Sequence, residues 1–167
     1  MKSQIKFLAW MLVSCSVGLI AVAAVAADVE APNVLTAKRV FLEKMGAGRF
    51  DKLDEIYGPG FVAHGAQADY TLEQDNESGK EWRKAAPDLQ VSVKRTVADA
   101  DFVAVHWNAK GTNSVAAAGL PGKGDKVDID GMTIFRFSKG RIVEEWSIMD
   151  IATMMRQVGA APKTKGR

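Results

Sequence analysis

The chain has 167 residues, of which 47% are hydrophobic and 25% are charged, and this is the composition of an ordinary globular domain. Its formal net charge of +2 comes from Lys2 and Lys6 at the N-terminus, so the charge does not indicate a nucleic-acid-binding protein. The single cysteine, Cys15, lies in the same N-terminal segment, which excludes a disulfide framework and thiol chemistry in the rest of the chain.

Residues 1–27 have the pattern of a secretory signal peptide. Two lysines form a basic start, residues 7–27 are apolar, and Ala24-Val25-Ala26 provides the small residues of a cleavage site. We therefore expect an exported protein, periplasmic or secreted, with no stable membrane span after cleavage. Two alternatives are a retained membrane anchor, because the apolar run is about long enough to cross a bilayer, and a lipoprotein signal ending at Cys15.

Cleavage would leave one domain at residues 28–160 and a flexible tail at residues 161–167. Two of the 22 basic residues belong to the signal, so the remaining 20 balance 20 acidic residues. This balance predicts no nucleic-acid partner. A domain of this size buries enough surface to fold without disulfides.

Helical periodicity appears near both ends of the domain. Helices are predicted at residues 32–46, 50–57, 77–86 and 151–158. The first begins at Pro32 and ends at Gly46, and the last has Asp150 as its cap and Gly159 as its end. The polar stretch before residue 77 shows no clear pattern and is expected to be irregular.

Alternating apolar residues predict the strands. They are expected at residues 61–64, 89–94, 102–109, 127–137 and 141–148. In the strand at 127–137, one face carries Val127, Ile129, Thr133, Phe135 and Phe137, and the other carries Asp128, Asp130 and Arg136. Ser138-Lys139-Gly140 forms a tight hairpin connection to the last strand.

Helices that precede a run of consecutive strands predict an α+β fold. A strongly bent antiparallel sheet, with the N-terminal helices over its concave face, would form an open cone around a pocket. We expect the apolar face of the strand at 127–137 to line this pocket.

A series of short motifs gives the chain a resemblance to a known family. They are FVAH at 61–64, PDL at 87–89, VAVHW at 103–107, GLP at 119–121, FRF at 135–137, GRIVEEW at 140–146, Asp150 and QVG at 157–159. In order and spacing they resemble the SnoaL-like polyketide cyclase, or ester cyclase, family of the nuclear transport factor 2-like superfamily. The resemblance covers about residues 34–159 and implies a cone-shaped α+β barrel, an enclosed pocket and a homodimer formed through the outer face of the sheet.

The resemblance also implies where catalytic residues would lie. Characterised members use an aspartate on the last strand as general acid/base for a metal-free aldol ring closure, assisted by a histidine on the preceding strand. These positions correspond to Ser147 and Thr133, whose hydroxyls need a base beside them to exchange a proton near neutral pH.

Glu145 can supply such a base. It lies two residues before Ser147, so both side chains point to one face of the strand. In an apolar pocket its pKa would be raised toward the range of a general base. The alternatives are that Glu145 pairs with a lysine or arginine, or that it is solvated at the pocket rim.

The predicted catalytic residues are Glu145, His64 and Ser147. His64 ends a short strand, where relatives commonly carry a histidine, and it has either a pocket role or a packing or capping role. His106 is expected to be exposed or at the dimer contact. The predicted substrate-binding residues are Trp82, Trp107, Val127, Ile129, Thr133 and Phe135. No metal is predicted, because the two histidines lack ligand spacing, and no cofactor is predicted, because phosphate-loop and dinucleotide motifs are missing from the sequence.

Two functional hypotheses follow. In the first, the protein is a cyclase-type enzyme that acts on a small, mostly apolar carbonyl or ester compound by acid/base chemistry. In the second, it is a non-catalytic protein that binds a small apolar metabolite outside the cytoplasm. A buried carboxylate facing the cavity would favour the enzyme.

Overall fold

The computed structural model describes residues 30–160, so the predicted signal peptide and tail lie outside the described residues. The helical elements are α1 (Pro32–Arg39), which continues as a π-helical segment (Val40–Gly46), a 3-10 turn (Leu53–Glu55), α2 (Leu72–Ala85) and α3 (Ile151–Gln157). The strands are β1 (Tyr57–His64), β2 (Asp69–Tyr70), β3 (Gln90–Asp99), β4 (Phe102–Asn113), β5 (Ala116–Ala117), β6 (Leu120–Pro121), β7 (Asp125–Ser138) and β8 (Arg141–Met149). Between residues 30 and 160, no helix is both long enough and apolar enough to cross a membrane.

Six strands form one curved sheet in the order β2-β1-β8-β7-β4-β3, and β5 and β6 form a separate hairpin. The predicted antiparallel arrangement of the long strands is confirmed for β3, β4, β7 and β8. The sheet is not entirely antiparallel, because β1 pairs in parallel with β8. Register shifts in three of the strand pairs are the kind of irregularity that bends a sheet. The α+β class with a curved sheet is therefore confirmed.

The predicted alternation along β7 is also confirmed. Ile129, Phe135 and Phe137 are buried, whereas Asp128 and Asp130 are exposed on the opposite face. Phe135 and Phe137 share a core with Val34 and Ala37 of α1 and with Val40 and Phe41 of the π-helical segment, whereas Ile129 packs in a second cluster with Met154 and Val158. One face of the sheet is thus covered by the N-terminal helix, and the other face remains exposed.

The hairpin between β7 and β8 has the predicted position. Lys139 and Gly140 both have positive φ, at 51° and 75°, which is the backbone geometry of a two-residue type I′ turn. At the end of β8, Asp150 caps α3 as predicted, since its Oδ1 accepts a hydrogen bond from the Thr153 backbone N–H at 2.9 Å.

Two predicted helices differ from the structure. The helix expected at residues 50–57 is a single 3-10 turn, because Tyr57 begins β1 and pairs with Ile142 of β8. The helix expected from residue 77 begins at Leu72, because Thr71 and Gln74 form a reciprocal capping box at its N-terminus. The second error left Asp75, which borders the cavity described next, outside the predicted helix.

Candidate functional site

A cavity of about 180 Å³ lies between the π-helical segment, α2 and the concave face of the sheet. Most of its wall is apolar, and Leu89, Val91, Leu120 and Met149 contribute to it together with two tryptophans. The polar side chains on the wall are Lys44, Asp75, Ser78, Asn113, Thr133, Glu145 and Ser147. A compact apolar ligand with a small number of polar groups fits a cavity of this kind.

A chain of hydrogen bonds runs across three strands and ends at Glu145. The Trp107 indole N–H donates to Thr133 Oγ1 at 3.0 Å, and Thr133 Oγ1 lies 2.7 Å from Ser147 Oγ. Ser147 Oγ then donates to Glu145 Oε1 at 2.7 Å. An ionised carboxylate can only accept, so Ser147 uses its hydrogen on Glu145 and Thr133 is then the donor to Ser147. The chain fixes the orientation of Glu145.

The strand register explains why these residues meet. Thr133 of β7 lies directly opposite Ser147 of β8, and Trp107 of β4 lies opposite Gly131 of β7. A Cβ at Gly131 would lie only 2.2 Å from the Trp107 ring, so glycine is the residue that leaves room for the indole. Ordinary strand alternation then brings Glu145 to the same face as Ser147.

The second carboxylate oxygen of Glu145 has no hydrogen-bond partner within the described part of the chain, although it is itself inaccessible to solvent. Burial raises the pKa of this carboxyl to about 7, and the negative charge of Asp75 adds to the effect. The positive charge of Lys44 and the hydrogen bond from Ser147 act in the opposite direction. Glu145 can therefore exchange a proton near neutral pH.

Of the two alternatives for Glu145, an ion pair is not formed within residues 30–160, whereas the side chain keeps partial exposure at the cavity wall. The side chains of Glu145 and Ser147 both border the cavity. Glu145 is half-buried there, and Ser147 is exposed. Within residues 30–160, the lysines and arginines that form ion pairs do so with other carboxylates. The surrounding protein nevertheless displaces enough water for desolvation to dominate the pKa of Glu145.

A buried lysine lies at the same end of the cavity. Lys44 is 2% exposed, and its ammonium donates a hydrogen bond to Tyr57 Oη at 3.0 Å and another to Asp75 Oδ2. Burial raises the pKa of Tyr57 well above its ordinary value, with further contributions from the charges of Glu145 and Asp75. The Tyr57 hydroxyl therefore stays protonated at neutral pH.

Local structure positions this second group. Lys44 lies in the π-helical segment, and such segments are frequent at functional sites. Asp75 lies in the first half of α2, on the helix face that borders the cavity. That face carries Asp75, Ser78, Gly79 and Trp82 at i, i+3, i+4 and i+7. Because the capping box fixes the N-terminus of α2, it also helps to position Asp75, the hydrogen-bond partner of Lys44.

Most of the residues predicted from the sequence border the cavity. Glu145 and Ser147 are hydrogen-bonded to each other, and Thr133 is hydrogen-bonded to Ser147. The other predicted residues that line it are Trp82, Trp107, Val127 and Ile129. The structure brings these residues together, and their catalytic and substrate-binding roles remain predictions.

Phe135 does not line the cavity. It is 0% exposed and its ring lies 5.9 Å from that of Phe41, so it is a core residue beneath α1. The strand alternation assigned it to the correct face of the sheet. Alternation along a strand does not show which part of that face a helix covers, and α1 covers this part.

His64 lies outside the cavity, on the other face of the sheet. Ala63 is the residue opposite Glu145 in the register, so the neighbouring His64 points away from it. Its ring stacks on Trp146 at 4.7 Å, and its Nδ1 lies 3.0 Å from Asp69 Oδ1. We therefore remove His64 from the candidate catalytic residues. His106 lies on the outer face too, with its Nε2 3.7 Å from Asp130 Oδ2.

The sequence analysis missed Lys44, Tyr57 and Asp75. For Lys44 a signal was available, because it falls three residues after Phe41 on the apolar stripe of the first helix. For Asp75 the signal was the Thr71-x-x-Gln74 capping box, which would have extended the helix. Tyr57 gave no comparable signal, because its position depends on the parallel pairing of β1 with β8.

No group of three or more histidine, cysteine, aspartate or glutamate side chains is placed to hold a metal ion anywhere in the range 30–160. The side chains of the described site offer a proton acceptor in Glu145, a cation in Lys44, and hydroxyls that orient the carboxylate. This combination is suited to moving a proton on an apolar ligand.

Comparison with known proteins identifies the family. A profile of the SnoaL-like polyketide cyclases matches residues 35–158. IdmH, a candidate polyketide cyclase from Streptomyces antibioticus, is 27% identical, with a TM-score of 0.67 over 76% of this chain and 98% of IdmH. A candidate SnoaL-like polyketide cyclase from Jannaschia sp. CCS1 is 24% identical, with a TM-score of 0.68 over 78% of this chain and 94% of that one.

AclR from Streptomyces galilaeus, a candidate hydroxylase, has the same fold, with 20% identity and a TM-score of 0.70 over 78% of this chain and 97% of AclR. A comparison with curated proteins gives no match. The family profile covers most of the described residues, and the solved structures share the curved sheet and its helices. The chain belongs to the SnoaL-like polyketide cyclase family.

Proposed function

We propose that the protein is a cofactor-independent acid/base enzyme that acts on a small, mostly apolar carbonyl or ester compound. The observation that carries this proposal is the unpartnered Oε2 atom of Glu145, a buried carboxylate oxygen at the wall of an apolar cavity. The other carboxylate oxygen, Oε1, accepts a hydrogen bond from Ser147, so the carboxylate is oriented before a ligand enters. Such preorganisation favours proton transfer over simple solvation.

The reaction begins with removal of a proton from the carbon next to the carbonyl group. Glu145 Oε2 accepts the proton, and the electron pair of the C–H bond moves to the carbonyl oxygen to give an enolate. The enolate carbon then either takes the proton back or attacks a second carbonyl of the same molecule, which forms a carbon–carbon bond and closes a ring. In the second case the attacked carbonyl oxygen becomes an alkoxide, which takes the proton from Glu145 and restores the carboxylate. Membership of the cyclase family supports the second outcome.

The test is hydrogen–deuterium exchange in D₂O, followed by NMR, with 2-tetralone, 2-acetylnaphthalene and methyl 2-naphthylacetate as probes. Wild-type protein should accelerate exchange next to the carbonyl of at least one probe. Glu145→Gln should reduce this acceleration about 100-fold or more, because a general base contributes that much. Equal exchange by Glu145→Gln and wild type would contradict the proposal.

Glu144→Gln is the matched control. Glu144 is the adjacent residue on β8, but its carboxylate binds the Arg136 guanidinium at 2.8 and 2.9 Å. Its substitution should leave the exchange rate unchanged. A parallel loss in both variants would indicate damage to the strand instead of loss of a base.

The second candidate function is binding of a small apolar metabolite without turnover. It is favoured by the largely apolar wall of the cavity and by Ser147 at the position where the family resemblance places an aspartate. A wild-type protein that binds these probes in a calorimeter, yet gives no exchange above the protein-free rate, would support binding alone.

Two further properties are part of this proposal. The pattern of residues 1–27 supports export and removal of the signal, which N-terminal sequencing of the protein from the native host would test. A homodimer is supported by an exposed apolar surface on the outer face of the sheet. There Met132 lies opposite Ile148 and Ile134 lies opposite Trp146, and all four are at least 37% exposed.

A further inference from the structure

We propose that the Lys44 ammonium binds the carbonyl oxygen of the ligand and stabilises the negative charge that this oxygen acquires when Glu145 removes a proton. The inference rests on the proposed function and assigns the second half of the same reaction to a residue outside the predicted catalytic set.

Lys44 has one more hydrogen to donate than its protein partners accept. An ammonium carries three N–H donors, and the described residues supply two acceptors, Tyr57 Oη and Asp75 Oδ2. A buried cation is costly unless its hydrogen bonds are completed. Since Lys44 borders the cavity, a ligand oxygen there can complete them.

Most of the other donors on the cavity wall are already engaged. The Trp107 indole and the Thr133 and Ser147 hydroxyls direct their hydrogens along the chain that ends at Glu145. The Asn113 amide donates to two backbone carbonyls. Ser78 and Trp82 are the remaining rivals, and the Ser78 hydroxyl and the Trp82 indole N–H are both neutral donors. Lys44 is the only lysine or arginine on the described cavity wall.

Lys44 and Glu145 line the same cavity, and the positive charge of Lys44 favours the ionised form of Glu145. A carbonyl compound bound in this cavity with its oxygen on the ammonium can present its adjacent C–H bond to the carboxylate. Proton removal places one new negative charge on the oxygen beside the cation, and the ammonium keeps its own protons. Charge stabilisation of this type, in a site with little water, is a large contribution to catalysis.

The experiment measures binding and carbonyl polarisation, so it does not require turnover. The probe is 2-acetylnaphthalene labelled with ¹³C at its carbonyl. Infrared difference spectra should show the bound carbonyl stretch at lower wavenumber than in hexane. Lys44→Met should abolish that shift and weaken binding about 10- to 100-fold, the range for a hydrogen bond to a charged group. Lys44→Arg, which keeps the charge, should retain part of the shift.

Two comparisons make the result specific. Lys80→Met removes an exposed lysine of α2 that pairs with Glu77, and this variant should behave as wild type. Ser78→Ala and Trp82→Phe each remove one rival donor, and both variants should retain the shift. Because loss of Lys44 leaves Asp75 without its cation, the double variant Lys44→Met with Asp75→Asn removes both charges, and melting curves show that each variant is folded.

Three outcomes would overturn the assignment: a shift that persists in both Lys44→Met and the double variant, a shift that is lost in Ser78→Ala or Trp82→Phe, or a wild-type protein that neither binds nor polarises the probe. Failure of the proposed function is a separate result. In that case the infrared shift of the bound carbonyl would still be lost in Lys44→Met, while the hydrogen–deuterium exchange rate would be the same in wild type and Glu145→Gln.

Discussion

Adjacent glutamates on β8 show how local surroundings decide the chemistry of one residue type. Glu144 points to the outer face, where hydrogen bonds from Arg136 lower its pKa. Glu145 points to the cavity, where burial raises its pKa to about 7. The backbone positions differ by one residue, and strand alternation places the two carboxylates on opposite sides of the sheet. Glu144 forms an ion pair with Arg136, whereas the Oε2 atom of Glu145 has no hydrogen-bond partner among the described residues and is available for the proposed proton transfer.

The raised pKa of Glu145 predicts the pH dependence of the exchange reaction. Below about pH 7 the carboxyl is protonated and cannot accept a proton, so the rate should rise about tenfold per pH unit and then level off above pH 7. NMR exchange rates measured from about pH 5 to pH 9 would show this profile. A rate that is constant over this range would show that a group other than Glu145 accepts the proton.

At the scale of secondary-structure elements, helix α2 links the capping box at its N-terminus to the charged side chain of Asp75 in the candidate site. The capping box joins Thr71 and Gln74, and Asp75 is the next residue along the helix. From Asp75 to Trp82, one face of this helix forms part of the cavity wall. The stability of the first turn of α2 therefore affects the position of Asp75, which accepts a hydrogen bond from Lys44.

Replacement of the cap should reduce stability by a measurable amount. Thr71→Ala removes the oxygen that accepts the Gln74 backbone N–H, and we expect the free energy of unfolding to fall by about 1 kcal/mol. Urea denaturation followed by circular dichroism measures this change. Thr71→Ser keeps the hydroxyl and should remain within a few tenths of a kcal/mol of wild type. Equal stability of all three proteins would show that the cap does not hold the helix.

At the scale of the whole molecule, the curved sheet has two surfaces with different roles. Its concave side is divided between the core beneath α1 and the cavity beneath α2. Its convex side exposes apolar side chains, of which Ile148 is 71% exposed. An apolar surface of this kind favours association with another surface.

The proposed homodimer should depend on this convex surface. Ile148→Lys introduces a charge there, and we expect the variant to have half the wild-type mass in light scattering after size-exclusion chromatography. Leu35→Lys is the control, because Leu35 is an exposed apolar residue on α1 instead of the sheet, at 49% exposure. A wild-type protein that is monomeric, or an Ile148→Lys variant that remains dimeric, would contradict this prediction.

The sequence alone was sufficient for the fold class, for the order of the long strands and for the face of the sheet on which Glu145 and Ser147 lie. These features depend on the period of two along a strand and on local turn and cap residues such as Gly140 and Asp150, which a linear pattern records directly. The family resemblance follows from the same local patterns.

Only the tertiary structure decided which residues on the concave side line the cavity. The parallel pairing of β1 with β8 set the position of Tyr57, and the placement of α1 buried Phe135 in the core. The approach of α2 to the π-helical segment joined Asp75 to Lys44. These contacts lie between residues far apart in the chain, and their geometry depends on how helices cover the sheet. Periodicity within one segment carries no information about that packing.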